Sequence, residues 1–234
     1  MNTNPQKIAS TPILYSFRRC PYAMRARMAL KYANISVYLR EVELRNKPAA
    51  LLQSSAKGTV PVIVFPDRSV IDESRDIMLW VLAINDPDQW LPKQHADLCV
   101  QINWLLDKND FEFKANLDKY KYPDRFPEQT AQEHRTLGEQ FLLLLEARLS
   151  QHWFLVSDTL SMADIGIFPF IRQFVQVDRV WFEQADYPYL QAWLDYFLRA
   201  DIFTGIMQKY TPLNSYNQLA QTQSYSLQLY LISL

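Results

Sequence analysis

The chain has 234 residues, and its 24 Lys and Arg nearly balance its 25 Asp and Glu, which leaves a formal net charge of −1. This balance argues against a dedicated nucleic-acid binder, which usually carries a clustered basic face. Two cysteines are too few for a disulfide scaffold, and three scattered histidines offer no metal-ligand spacing. We therefore expect neither nucleic acid nor a metal.

The first ten residues contain no apolar core of the kind that a secretory signal requires. No run of about 18 apolar residues occurs, so the sequence predicts no membrane span. We expect a cytoplasmic protein, in which thiols stay reduced and a single cysteine is available for chemistry.

Glycine is scarce, with 4 residues against 13 prolines. This scarcity favours helices over a turn-rich β sandwich. It also leaves no glycine-rich phosphate loop, so we expect no nucleotide-driven chemistry.

The first part of the chain, residues 11–84, reads as an α/β domain that follows a loose tail over residues 1–10. The predicted order is strand, helix, strand, helix, strand, strand, helix, which requires a mixed sheet because a parallel pair is followed by a tight antiparallel pair. The predicted elements are strands at Ile13–Ser16, Ser36–Val42, Val60–Phe65 and Val70–Ile71, and helices at about 21–33, 46–53 and 72–82.

Residues 85–94 contain two prolines and no periodicity, and we interpret them as a linker. The following part, residues 95–210, is predicted to be all-helical, with helices at roughly 95–118, 128–151, 161–178, 186–200 and 201–209. The charge-free run Phe141–Leu145 predicts a helix that is buried on most faces. Residues 211–234 form a charge-free extension to which the sequence assigns no role.

Cys20 is the strongest candidate for chemistry. It follows a strand and directly precedes Pro21, which suits the first position of a helix. Its sulfur should lie near the positive end of that helix and near Arg18 and Arg19, all of which favour a thiolate. The alternative is a small buried hydrophobe, which is the usual state of a free cysteine. Ala23 stands where a resolving thiol would be, so an external thiol would have to complete any exchange.

Two further features carry weaker signals when each is taken alone. Val60-Pro61 could contain a cis peptide bond, although a proline that opens a strand in the trans form is more common. Glu73-Ser74 begins a helix, where a hydroxyl and free N–H groups can bind an anion and the acid can hold an ammonium. Simple capping by Ser74 explains the same residues.

Taken together, these motifs resemble the glutathione S-transferase superfamily. The shared features are strand–Cys20-Pro21–helix, Asn46-Lys47-Pro48, Val60-Pro61 and Glu73-Ser74 in that order and spacing, followed by Ser161-Met-Ala-Asp-Ile165 in the helical part. The start Cys-Pro-Tyr-Ala is similar to the cysteine-type branches, the omega-like and dehydroascorbate-reductase-like ones, in a bacterial-type form. The resemblance implies a thioredoxin-like first domain and an all-α second domain, in which Ser161 and Asp164 form a structural capping box.

The resemblance also implies a role for each motif residue. Cys20 faces the sulfur of glutathione, and Lys47 meets its glycyl carboxylate. The Val60 backbone pairs with the cysteinyl residue and is made accessible by a cis Pro61.

The resemblance places the γ-glutamyl end of glutathione at the start of the helix that follows Asp72. Glu73 would hold the γ-glutamyl ammonium, and Ser74 the γ-glutamyl carboxylate. Tyr15 and Ser16 precede Cys20 and could suggest the tyrosine or serine chemistry of other branches. We rank both below Cys20 because they belong to the predicted strand.

The sequence therefore predicts a glutathione-dependent transferase with glutathione as cosubstrate, a small electrophilic or disulfide substrate, and a homodimer by resemblance. Its expected chemistry is thiol–disulfide exchange through a mixed disulfide at Cys20, with dehydroascorbate reduction as a variant. The alternatives are conjugation of glutathione to electrophiles in detoxification, and a non-catalytic binding or regulatory protein of the same fold. Membrane insertion is a further alternative, which the charged first helix disfavours.

Overall fold

The computed structural model describes residues 11–212 and 230–232. Its contacts divide the chain into two compact units. The first comprises Met1–Asn85 with Ile202–Leu234, and the second comprises Asp86–Asp201. The predicted tail over 1–10 and most of the extension over 211–234 lie outside the described residues.

The first unit is an α/β layer with the element order that the sequence predicts. Its strands are β1 (Ile13–Ser16), β2 (Val37–Glu41), β3 (Val62–Val64) and β4 (Val70–Ile71), and its helices are α1 (Pro21–Tyr32), α2 (Ala49–Ser54) and α3 (Ser74–Ile84). Strand β1 pairs in parallel with β2 and antiparallel with β3, and β3 pairs antiparallel with β4. The mixed sheet is therefore confirmed.

A further strand from the charge-free extension completes the sheet. Strand β5 (Tyr230–Ile232) lies antiparallel to β2, so the order among the described strands is β4-β3-β1-β2-β5. The sequence gives no signal for this pairing. The contact covers the edge of β2, whose backbone groups would otherwise be open to another strand.

Helix α1 runs through the interior of the first unit. Nine of its twelve residues are buried, and the helix packs against α3. The buried set also includes Arg25 and Arg27, which are 2% and 1% exposed. Buried guanidinium groups require polar partners, because an unpaired buried charge is strongly destabilising.

The second unit is all-helical. Its long first helix combines α4 (Ala96–Asp107), a π-helical turn (Lys108–Phe113) and α5 (Lys114–Lys121), with a 3₁₀ turn at Pro123–Arg125 after it. The remaining helices are α6 (Ala131–Leu149), α7 (Met162–Val175), α8 (Arg179–Gln184) and α9 (Pro188–Arg199). Helix α10 (Asp201–Thr204) and a 3₁₀ turn (Gly205–Met207) follow at the boundary between the units.

Helices α6 and α7 approach closely at a glycine. A Cβ on Gly138 would lie 2.5 Å from Cε2 of Phe174, so no larger residue fits there without movement of the ring. Phe174 also contacts Phe113 and Tyr120, with ring centroids 5.3 and 4.9 Å apart. The core of this unit therefore contains an aromatic cluster around the C-terminal end of α7.

Asp164 anchors the start of α7 as the resemblance implies. The Ser161–Asp164 capping box is present, and the carboxylate also accepts hydrogen bonds from the Leu155 backbone N–H at 2.9 Å and from Nε1 of Trp193 at 3.0 Å. Burial raises the pKa of Asp164, whereas these donors lower it. This one buried side chain thus joins the loop before α7, the helix itself and α9.

Three sequence predictions for individual elements are wrong. Helix α6, which contains Phe141–Leu145, is not buried on most faces, because only six of its nineteen residues are buried and Leu143 is 57% exposed. The short helix α8 was not predicted, because Asp178 caps only six residues, too few to show a period. Ser74 is the first residue of α3 rather than its N-cap, which is Glu73.

No helix within residues 11–212 combines the length and the apolar character that a bilayer crossing demands. The same described residues contain no group of three or more His, Cys, Asp or Glu side chains placed to hold a metal ion.

Replacement of Asp164 by Ala should lower the free energy of unfolding by about 3 kcal/mol, because it leaves several buried donors without an acceptor. Asp195 is a suitable control, since it pairs with Arg199 on the exposed face of α9. Its replacement by Ala should cost less than about 0.5 kcal/mol. Urea denaturation of both variants measures the difference, and equal losses would contradict the structural role of Asp164.

Candidate functional site

Cys20 is the residue immediately before α1 and takes its N-cap position, with an extended backbone at φ −75° and ψ 123°. Its own N–H donates to the Phe17 carbonyl at 3.0 Å, which closes a tight turn after β1. The sulfur therefore lies at the end of α1 where first-turn N–H groups and the positive end of the helix dipole favour a negative charge. Cys20 is partly exposed and is a free thiol.

The thiol of Cys20 lies against the start of β3. Its Sγ donates to the Val60 carbonyl oxygen at 3.6 Å, across 40 positions of sequence. The Val60–Pro61 peptide bond is cis. The structure thus brings Cys20 together with the backbone segment that, by resemblance, pairs with the cysteinyl residue of glutathione.

Two buried charges surround the turn that carries Cys20. Nη2 of Arg27 donates to the Arg18 carbonyl at 2.7 Å, and the Arg18 N–H donates to Oε1 of Glu41 at 2.7 Å. The backbone of Arg18 is therefore held from both sides, by α1 and by the end of β2. The other Glu41 oxygen and two of the Arg27 nitrogens have no hydrogen-bond partner.

Burial is the main cause of the pKa shifts of Arg27 and Glu41. It lowers the pKa of Arg27 to about 10, and Glu41 and Cys20 oppose that shift through their negative charge. Burial also raises the pKa of Glu41, against the Arg18 N–H and the charge of Arg27. The guanidinium is thus close enough to the sulfur for their charges to interact, and it favours the thiolate of Cys20.

Ser74 is buried at the start of α3, and its hydroxyl does not cap the helix. Instead, Nε of Arg25 donates to Oγ of Ser74 at 3.0 Å. The oxygen of Ser74 accepts this bond, so its hydroxyl hydrogen points away from the arginine. The hydroxyl can therefore donate a hydrogen bond to another group. The bond also joins α1, which begins directly after Cys20, to the start of α3.

Lys47 lies on the other side of the site, before α2, and is exposed. Its Nζ would be 3.9 Å from a Cβ at Gly58, so its side chain lies along the loop that leads to Val60. Gly58 has φ +57°, and a Cβ there would also approach Cδ2 of Leu52 to 2.9 Å. Glycine is therefore required at this turn by both conformation and space.

Glu73 is exposed and forms an ion pair with Lys57, which the sequence analysis did not single out. Lys57 also contacts Oδ1 of Asp72 at 3.3 Å, and the Ser55 hydroxyl donates to Oδ2 of Asp72 at 2.7 Å. The Ser55 hydrogen bond is the main reason that the pKa of Asp72 is lowered, and the hydrogen bond to Glu73 is the main reason that the pKa of Lys57 is raised.

All of these groups lie within the first unit. Sequence reasoning missed five of the participants, namely Arg25, Arg27, Glu41, Ser55 and Lys57. The two arginines did carry a signal, since they lie among the small and apolar residues in the middle of α1. A charge at an interior position of a buried helix indicates a polar partner in the core.

The tyrosine and serine alternatives find no support in this geometry. Tyr15 is 3% exposed within β1, and its hydroxyl accepts a hydrogen bond from Arg40 at 3.3 Å. Ser16 is completely buried. Neither hydroxyl is at the surface, where a bound thiol would have to be.

Two family models match this chain in succession. The N-terminal domain of glutathione S-transferase matches residues 14–89, and the C-terminal domain matches residues 128–195. Together they cover more than half of the sequence. The chain belongs to the glutathione S-transferase superfamily. Members of this family use glutathione as a substrate, and the protein is a glutathione S-transferase-like enzyme.

Individual relatives are distant. The chain is 24% identical to glutathione S-transferase omega-1 of Rattus norvegicus over 93% of its own length and 85% of the relative. It is 22% identical to glutathione S-transferase U28 of Arabidopsis thaliana, over 79% of its own length and 83% of the relative. Among solved structures, a glutathione S-transferase from Rhodospirillum rubrum F11 superposes with a TM-score of 0.72 at 19% identity, over 90% of this chain and 100% of that one. This match shows that the two proteins share a fold.

Replacement of Arg27 by Gln should slow the alkylation of Cys20 by iodoacetamide at neutral pH, because the thiolate loses a nearby positive charge. We expect the midpoint of the pH dependence of the rate to rise by about one pH unit. The measurement uses a Cys99→Ser background, so that a single thiol reacts.

Arg27→Lys provides the control, because it keeps the charge and should retain most of the original rate. A thermal melt of each variant establishes that it is folded. An unchanged midpoint in a folded Arg27→Gln protein would contradict this electrostatic role.

Proposed function

We propose that this protein is a glutathione-dependent thiol transferase that acts through a mixed disulfide at Cys20. The observation that carries the proposal is the position of the Cys20 sulfur, at the start of α1 and 3.6 Å from the Val60 carbonyl oxygen. A thiolate favoured at this position is a nucleophile, and nucleophilicity is what disulfide exchange requires.

The proposed first step transfers glutathione to the enzyme. The Cys20 thiolate attacks the glutathione sulfur of a mixed disulfide, the S–S bond of the substrate breaks, and the substrate leaves as a thiolate. In the second step, the thiolate of a second glutathione attacks the same glutathione sulfur. Glutathione disulfide leaves and Cys20 returns as a thiolate. Overall, the mixed disulfide and one glutathione thiolate give the substrate thiolate and glutathione disulfide, so one disulfide is exchanged for another and electrons and atoms balance.

The absence of a neighbouring thiol in the helix start supports this two-step route. Ala23 occupies the position that a resolving cysteine would take, and the other cysteine, Cys99, is in α4 of the second unit. Its thiol donates to the Pro92 carbonyl at 3.3 Å. A glutathionylated Cys20 would therefore be released by an external thiol.

The remaining site residues fit the charges of glutathione, which has two carboxylates and one ammonium. In the proposed complex, Lys47 pairs with the glycyl carboxylate, and the Val60 backbone beside Pro61 pairs with the cysteinyl residue. Glu73 then takes the γ-glutamyl ammonium. Ser74, with the hydroxyl oriented by Arg25, donates to the γ-glutamyl carboxylate at the start of α3.

Two broader expectations belong to the same proposal. We expect the enzyme to act in the cytoplasm, where glutathione keeps thiols reduced. We also expect a homodimer, by resemblance to the family, and the exposed Val100, Trp104 and Phe111 of the first long helix are apolar side chains that a partner could cover. Sedimentation at micromolar concentration would measure the mass.

Replacement of Cys20 by Ala should abolish glutathione–disulfide exchange, because the group that forms the mixed disulfide is gone. Intact mass spectrometry should show one glutathione on the wild-type protein after treatment with glutathione disulfide, and none on the variant. Cys99→Ser is the matched control and should keep both the adduct and the activity.

A conjugation assay with an electrophile distinguishes thiol transfer from the alternative activity, which is conjugation of glutathione to electrophiles. If wild-type conjugation activity survives unchanged in Cys20→Ala while no adduct forms on the wild type, the thiol-transfer assignment is wrong. If the wild type fails to bind glutathione in calorimetry, the protein is a non-catalytic member of its family.

A further inference from the structure

Lys57 occupies the carboxylates at the start of α3. Its ammonium forms ion pairs with both Asp72 and Glu73, and its side chain remains 48% exposed. The lysine reaches them from the loop between α2 and β3, at the residue before Gly58. The protein therefore supplies its own primary ammonium to the carboxylate of Glu73.

The proposed ligand carries the same chemical group to the same place. If Glu73 holds the γ-glutamyl ammonium of glutathione, that ammonium must approach a carboxylate that is already paired. Lys57 contacts Oε1 of Glu73, and a second ammonium beside the same carboxylate would be repelled by it, so the ligand binds more favourably when one of the two moves away. Lys57 is the group that can move, because it is a long, exposed side chain on a loop.

We propose that Lys57 competes with the γ-glutamyl ammonium for Glu73 and so sets the affinity of this site for glutathione. The inference rests on the proposed function, in which Glu73 binds that ammonium. It makes Lys57 a residue that tunes affinity, and not a catalytic residue.

Asp72 gives the displaced lysine a second partner. Oδ1 of Asp72 is 3.3 Å from Nζ of Lys57, and the Ser55 hydroxyl fixes the carboxylate through Oδ2. Lys57 can release Glu73 and stay paired with Asp72. Because only part of its ion pairing is lost, the competition weakens glutathione binding without preventing it.

The other lysine of the site is in a different electrostatic state. Among the described residues, Lys47 has no carboxylate partner, and its side chain lies along the other side of Gly58. Lys47 is therefore available for an anion, whereas Lys57 is already neutralised by two acids. This difference favours a competing role for Lys57 over a second contact with a glutathione carboxylate.

The size of the effect follows from exposure. The side chains of Lys57, Asp72 and Glu73 are 48%, 31% and 58% exposed, and ion pairs at such positions are screened by water. We expect removal of the lysine to change affinity by about two- to five-fold, which is the range that exposed pairs produce.

The test compares Lys57→Gln with wild type by calorimetry, with S-methylglutathione as a ligand that cannot form a disulfide with Cys20. The second ligand is the analogue of S-methylglutathione in which a glutaryl group stands in place of the γ-glutamyl group. It differs from the first ligand only in that it lacks the amino group. Lys57→Gln should bind S-methylglutathione about two- to five-fold more tightly and should bind the glutaryl ligand as the wild type does. Arg199→Gln is the control, since it removes one exposed, paired cation from the second unit.

Asp72→Asn tests the second partner. It should weaken the binding of S-methylglutathione when Lys57 is present, because the lysine then relies on Glu73 alone. In the Lys57→Gln background the same substitution should have a much smaller effect. Comparable effects in both backgrounds would show that Asp72 acts through Ser55 or the loop. They would contradict the inference that Asp72 holds Lys57 after the lysine releases Glu73.

The outcomes separate the inference from the function on which it rests. If wild-type protein does not bind S-methylglutathione at all, the proposed function fails. If the wild type binds it and Lys57→Gln binds it equally or more weakly, the function stands and the competition is overturned. Equal tightening of both ligands would also overturn it, because the gain would not depend on the amino group.

Discussion

The hydrogen bond from Arg25 to Ser74 is the contact on which the arrangement of this site depends. It joins two buried side chains that are 49 positions apart in sequence. One belongs to the helix that begins after Cys20, and the other is the first residue of the helix that follows Glu73. Two helix N-termini are thereby held in one unit. Each offers free backbone N–H groups and a positive dipole end, which suits a thiolate at one and a carboxylate at the other.

The buried charges near Cys20 are better explained by function than by stability. Burying Arg27 and Glu41 costs free energy, and several of their polar atoms have no hydrogen-bond partner. An apolar pair of the same volume would avoid that cost. Their positions hold the backbone of Arg18 from both sides and place a positive charge near the sulfur. Functional sites commonly retain such unfavourable groups, because perturbed ionisation is useful there.

Much of the fold follows from local sequence. The pattern of apolar runs and prolines predicts the order of strands and helices in the first unit, and Ser161 with Asp164 marks the start of α7 three residues apart. Predictions fail where the local signal is short or ambiguous. The six residues of α8 show no period, and Ser74 satisfies the pattern of an N-cap although its hydroxyl is already bound by Arg25.

By itself, the sequence determined which residues could react: a single thiol before a helix, with no resolving partner at Ala23, and a run of acids and a hydroxyl at another helix start. Only the tertiary structure decided how these groups are paired. The contact between Cys20 and Val60 and the ion pair of Lys57 with Glu73 join residues 40 and 16 positions apart. Local periodicity reports the face on which a residue lies, but it carries no information about which distant element packs against that face.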